Sequence, residues 1–145
     1  MKFLLLITVL FSFSSVACDK EYLQSLSNAD KFLVAVEKAD FVYFGEVVRL
    51  YQLPNTPESF DGYNAYVFQV TELVKGQTSN FMELEASSWC GVTPAEDQEY
   101  WPNKVGQKFV VAGHRENDTD YVLAVYPAVQ AMADIYRTTD SDESQ

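Results

Sequence analysis

The sequence predicts a mainly β fold: a five-stranded Greek-key barrel of the OB type, with flanking helices near the N- and C-termini. Three observations predict it. Five short stretches rich in β-branched and aromatic residues follow one another with turn residues between them. A long polar connector separates the third stretch from the fourth, as a small Greek-key barrel requires. Helical periodicity stands only outside these stretches, once before the first and once after the last.

Each element has its own justification. "NADKFLVAVEKAD" places Ala29, Phe32, Leu33, Val36 and Ala39 at three- and four-residue spacings, which predicts an amphipathic helix with Asn28 as N-cap, ending near Asp40. "FVYFGEVVRLYQL" then predicts the first strand, and the lone Gly45 inside it predicts a bulge or a sharp coil. Residues 54 to 62, "PNTPESFDG", form a turn-rich loop with two prolines. In "YNAYVFQVTELVK", Tyr66, Phe68 and Val70 share one face and Ala65 and Val67 the other, and Lys75-Gly76 ends that strand. "NFMELEA" opposes Phe81, Glu83 and Glu85 to Met82, Leu84 and Ala86.

Beyond "SSWCG" the stretch "VTPAEDQEYWPNKVG" is the connector. "QKFVVAGHR" and "DYVLAVYP" flank "ENDT" and read as a hairpin, "AVQAMADIYR" reads as a helix, and residues 138–145 as an acidic disordered tail. The 21 aromatic residues stand mostly at alternating strand positions, where core packing is their expected use.

Residues 1–17 carry Lys2, the apolar run "FLLLITVL" and a small-residue stretch ending at Ala17, the pattern of a secretory signal peptide. The apolar run is shorter than the ~20 residues a membrane-spanning helix needs. Cleavage after Ala17 leaves one domain, 18–137, ahead of the tail. The chain is then secreted or periplasmic, with nine basic residues against 21 acidic ones, a net charge of −12. Such a surface excludes nucleic acid as a partner, because that binding rests on Lys and Arg neutralising phosphates.

Cys18 and Cys90 are the two cysteines, and an even count in an exported chain points to a disulfide between them. The bridge would close a loop of about 70 residues and stabilise the fold by roughly 4 kcal/mol. A second use of Cys18 stays open. Ser14-Ser15-Val16-Ala17 fits a permissive lipobox, in which case Cys18 is acylated and the barrel is an interaction module of a lipid-anchored envelope protein.

Motifs for catalysis are missing. His114 is the single histidine, no nucleophile motif stands near it, and its place at a hairpin end suits a surface residue. "ENDTD" lacks the Gly and the terminal Glu of a calcium loop and reads as turn chemistry. Glu96, Asp97 and Glu99 read as a solvated face. No cofactor motif is present, and the expectation is a protein that binds and does not catalyse.

Cys18 at the expected mature N-terminus, "ADFVYFGEVV", "YVFQVTELVKG", "SSWCG", "GQKFVVAG" and "YVLAVYP" occur in an order that resembles the inhibitory domain of the tissue inhibitors of metalloproteinases, within the netrin-like group of OB folds. The resemblance covers residues 18 to 127, and the 72-position separation of Cys18 and Cys90 matches the family's first bridge. It implies inhibition of a zinc metalloprotease, with the free α-amino group and carbonyl oxygen of Cys18 chelating the protease's zinc in trans. It further implies that Asp19 points into the specificity pocket, that Ser88 and Trp89 complete the binding ridge, and that the loop from Pro54 to Gly62 touches the protease. The chain departs from the family pattern at Lys20, where a second cysteine is usual, and at Asp19, where a small hydroxyl residue is usual.

Overall fold

A computed structural model describes residues 20–54, 63–86 and 101–131. Two helices, α1 (Lys20–Ser25) and α2 (Asn28–Lys38), precede five strands, β1 (Phe41–Tyr51), β2 (Ala65–Lys75), β3 (Phe81–Ala86), β4 (Lys108–Glu116) and β5 (Thr119–Pro127). The strands close into a barrel in the order β1-β2-β3-β5-β4. All neighbours are antiparallel except β3 and β5, whose parallel pairing consists of Glu85 with Tyr121 and Ala86 with Val122. The mainly β, OB-type barrel expected from the sequence is the observed fold. Residues 128–131 begin a helix after β5, at the start of the stretch expected to be helical.

Three local differences have physical reasons. The N-cap of α2 is Ser27 and not Asn28: the Ser27 hydroxyl oxygen accepts the Asp30 N–H at 3.2 Å, and the extended Ser27 backbone lies outside the helix. The helix α1 was not anticipated, because six residues with one buried anchor, Leu23, are too few to show a period. Strand β1 stops at Tyr51 because the Leu53 N–H is taken by the Asn64 carboxamide oxygen at 2.6 Å. Asn64 is buried and ties the two feet of the β1–β2 connection together.

The barrel is filled by side chains from alternating positions. Phe41, Tyr43, Val47, Tyr66, Phe68, Met82, Leu84, Trp101, Phe109, Val111, Val122 and Val125 form one buried cluster. Burying a residue of this kind stabilises the fold by roughly 1.5–3 kcal/mol. Gly45 lies at one of three register shifts in β1, which let the strand pair with β2 on one side and β4 on the other. Trp101 donates its indole N–H to the Tyr66 hydroxyl, which donates to the Tyr63 carbonyl at 2.8 Å, so these buried polar groups are paired.

A second cluster lies outside the barrel wall. Ala35 and Ala39 bring α2 close against Val42, Val110, Ala112, Leu123 and Ala124, with Phe32 and Val36 beside them. The Lys75 ammonium donates to the Val36 carbonyl at 3.1 Å, at the negative end of the helix. One side of the barrel is therefore roofed by α2, and among the described residues no element covers the outward positions of β2 and β3.

Gly113 is needed for space. A Cβ there would collide with the ring of Phe41 and stand 2.7 Å from the Tyr121 carbonyl oxygen. We expect Gly113→Ala to lower stability by about 1–3 kcal/mol, as overpacked cores do, read from urea unfolding midpoints. Gly76→Ala should cost at least as much, because Gly76 has φ 78 and its Cβ would meet the Asp40 carbonyl.

Candidate functional site

OB barrels bind ligands on the β2–β3 face and at the loops that border it. Here that face is built by the alternation of β3, which turns Phe81 and Glu83 outward and buries Met82 and Leu84. Glu83 faces Val67 across the β2–β3 pair, and Tyr51 lies one strand further on, paired with Ala65. The Tyr51 hydroxyl donates to Glu83 Oε1, and the Arg49 guanidinium sits 4.9 Å above the Tyr51 ring. Arg49 and Tyr51 of β1 and Glu83 of β3 thus form one connected group that bridges over β2.

Between β3 and β5 the wall opens into a cleft of about 330 Å³ lined by Ser79, Phe81, Met82, Glu83, Glu85, Asp118, Thr119 and Asp120. The geometry follows from the closure. Only Glu85 and Ala86 of β3 pair with β5, and toward its start β3 diverges from the β4–β5 hairpin. The hairpin tip is the two-residue turn Asn117-Asp118, with φ 49 and 63, values that Asn and Asp tolerate.

Of the four carboxylates here, two are engaged. Glu83 accepts from Tyr51, and Asp120 accepts two hydrogen bonds from Arg115, at 2.7 and 3.1 Å. That hydrogen-bonded pairing with Asp120 also raises the pKa of Arg115. Behind the cleft Tyr43 is fully buried, and its hydroxyl has no hydrogen-bond partner among the described residues. Burial, reinforced by the Asp120 charge, pushes its pKa far up, so the phenol stays neutral.

The site expected from the resemblance is not among the described residues. Cys18, Asp19, Ser88, Trp89 and Cys90 lie outside the described residues, as do Glu96, Asp97, Glu99 and all of the proline-rich loop after Pro54. His114 is described, half-buried near the end of β4. Its side chain is 29% exposed, stacks on Tyr121 at 5.2 Å between centroids, and has a buried Nδ1 without a partner among the described residues. Among the described residues no cluster of His, Cys, Asp and Glu could hold a metal ion, and no helix is long and apolar enough to cross a membrane.

Reading the sequence found the outward face of β3 but not the cleft. The signal for the face was an exposed aromatic followed by two acids at alternate positions. Nothing in the sequence announced that residues 118–120 would stand opposite them. No protein-family model matches this chain, and no curated protein matches it either.

Tyr51 supplies a titration test. Desolvation, then the hydrogen bond to and charge of Glu83, push its pKa up from 10.0 to about 12. A phenol whose folded pKa exceeds its unfolded one favours the fold fully below about pH 10 and ceases to do so as pH rises through about 12. Absorbance titration at 295 nm should show one tyrosine ionising near pH 12 that is missing in Tyr51→Phe and returns toward the ordinary value in Glu83→Gln.

Proposed function

We propose that this chain is an exported binding protein that acts by docking, and that it blocks a zinc metalloprotease through the free N-terminus of Cys18. The observation that carries this reading is the strand order β1-β2-β3-β5-β4 with its parallel β3–β5 closure. This is the barrel that the resemblance implies, and the strand that closes it leads straight into the segment holding Ser88, Trp89 and Cys90. A Cys18–Cys90 bridge would tie the N-terminus to the chain just beyond β3, and so reduce the ordering cost of binding. Asn64 supports the same reading, since it clamps the feet of the loop expected to touch the protease.

The chemistry is coherent. A catalytic zinc keeps one coordination position for water, and a neutral amine occupying it displaces the nucleophile. With an unperturbed pKa near 8, a useful fraction of an α-amino group is neutral at pH 7. Asp19, in the specificity pocket, favours a protease whose pocket is polar or basic, because an apolar one would leave the carboxylate desolvated and unpaired.

The test is inhibition of a panel of zinc metalloproteases by the processed chain. Adding one Ala before Cys18 should weaken inhibition by about 100-fold or more, equivalent to ~2.7 kcal/mol. Inhibition unchanged by the extension would overturn chelation. The intact mass of the host-purified protein separates the alternative. A chain starting at Cys18 and lighter by two hydrogens than its reduced form keeps the amine free. A diacylglyceryl increment makes the protein a lipid-anchored interaction module and removes the inhibitor reading.

A further inference from the structure

Among the described residues, part of the β3 edge has no neighbouring strand. The register of β3 with β2 and the bond from the Val70 N–H to the Asn80 carbonyl at 2.8 Å fix which residues face which way. Gln69 and Phe81 form a non-hydrogen-bonded pair, so the backbone groups of Met82, Leu84 and Ala86 face β2. The Ala86 N–H does so visibly, donating to the Asn64 carbonyl at 2.9 Å. The backbone groups of Phe81, Glu83 and Glu85 therefore face the other way. Glu85 is paired with β5, and the Phe81 carbonyl accepts from the Ser79 hydroxyl. The Phe81 N–H and both backbone groups of Glu83 open onto the cleft with no strand beside them among the described residues.

We propose that this edge accepts an extended, Lys- or Arg-bearing segment of a partner protein as an added strand. Three features of the cleft select that occupant. Unpaired N–H and C=O groups in strand geometry template another strand. The side chains flanking the edge are acidic, with Glu85 and Asp118 outside the Tyr51 and Arg115 pairings. Phe81, 57% exposed, offers an apolar contact for an alternate side chain of the incoming strand. A cavity of about 330 Å³ fits a few extended residues and not a folded element. The net charge of −11 draws cationic segments from a distance and repels anionic ones. This proposal does not rest on the role of Cys18.

The experiment uses the intact chain and three blocked hexapeptides: alternating Lys and Val, the same peptide with both central backbone nitrogens methylated, and alternating Glu and Val. Amide shifts in ¹⁵N-correlated spectra report the site. The Lys–Val peptide should move the amides of Phe81 and Glu83, weaken as salt rises, and lose about 10-fold in affinity on methylation, the loss of one or two hydrogen bonds. The Glu–Val peptide should not bind. Glu85→Gln with Asp118→Asn should weaken the Lys–Val peptide about 10-fold while leaving the fold intact, since neither side chain anchors the barrel. Equal binding of the methylated peptide would overturn strand addition. Binding indifferent to the double substitution would overturn the charge argument. Concentration-dependent broadening of the Phe81 and Glu83 amides without peptide would assign the edge to a second copy of the chain and overturn the proposed partner.

Discussion

Two residue pairs, Glu85 with Tyr121 and Ala86 with Val122, convert a five-stranded sheet into a barrel, and the interior depends on that closure. An open sheet would leave β3 and β5 as exposed edges and one whole face of Phe, Tyr and Val side chains in water. Closure turns that face inward, where rings from β1 must pass beneath β4. Phe41 and Tyr43 stack at 6.0 Å, Tyr43 meets Phe68 edge-on, and Gly113 supplies the gap that Phe41 occupies. The glycine and the ring are one solution to one packing constraint.

Two polar groupings are handled differently. Trp101, Tyr66 and Tyr63 form a short relay in which each buried donor finds an acceptor. The grouping near the β4–β5 hairpin is looser: Arg115, half-exposed, lies 5.9 Å from the Phe41 ring and pairs with Asp120, while among the described residues the buried Tyr43 hydroxyl has no partner. A buried, unpaired hydroxyl costs about 1–3 kcal/mol.

Much of the barrel was legible because its strands are half-buried and alternate. The faces of β2 and β3, the bulge at Gly45 and the hairpin at Asn117-Asp118 were each written in a local pattern. The α2 helix was legible for the same reason, and its cap was misplaced by one residue because Ser27 and Asn28 are both good caps and only backbone geometry separates them. What stayed hidden is long-range. The parallel β3–β5 pair joins residues far apart in sequence, and a period of two cannot tell which strand closes on which. The cleft inherits that blindness, since Glu85 and Asp118 become neighbours only through the closure. The stacking of His114 on Tyr121 is likewise a cross-strand fact.

Fold alone does not set the sign of the charge that this face presents. The β2–β3 face is where OB barrels hold oligonucleotides, by basic grooves and stacked aromatics. This chain offers Phe81 on that face, but surrounds it with Glu83, Glu85 and the acids of the hairpin tip. A phosphate backbone brought there would meet fixed negative charge a few ångströms away, within the ~8 Å screening length of physiological salt. The same arrangement suits the lysine of the strand proposed to add to β3, and the proposed contact of the Cys18 amine with a protease's zinc is of a different kind. The two differ in how salt acts on them. A surface carboxylate attracts through solvent and weakens as ions are added, whereas a neutral amine bonded to zinc carries no charge to screen. The architecture sets the shape of this face, and Glu83 and Glu85 on β3 set the sign of its charge.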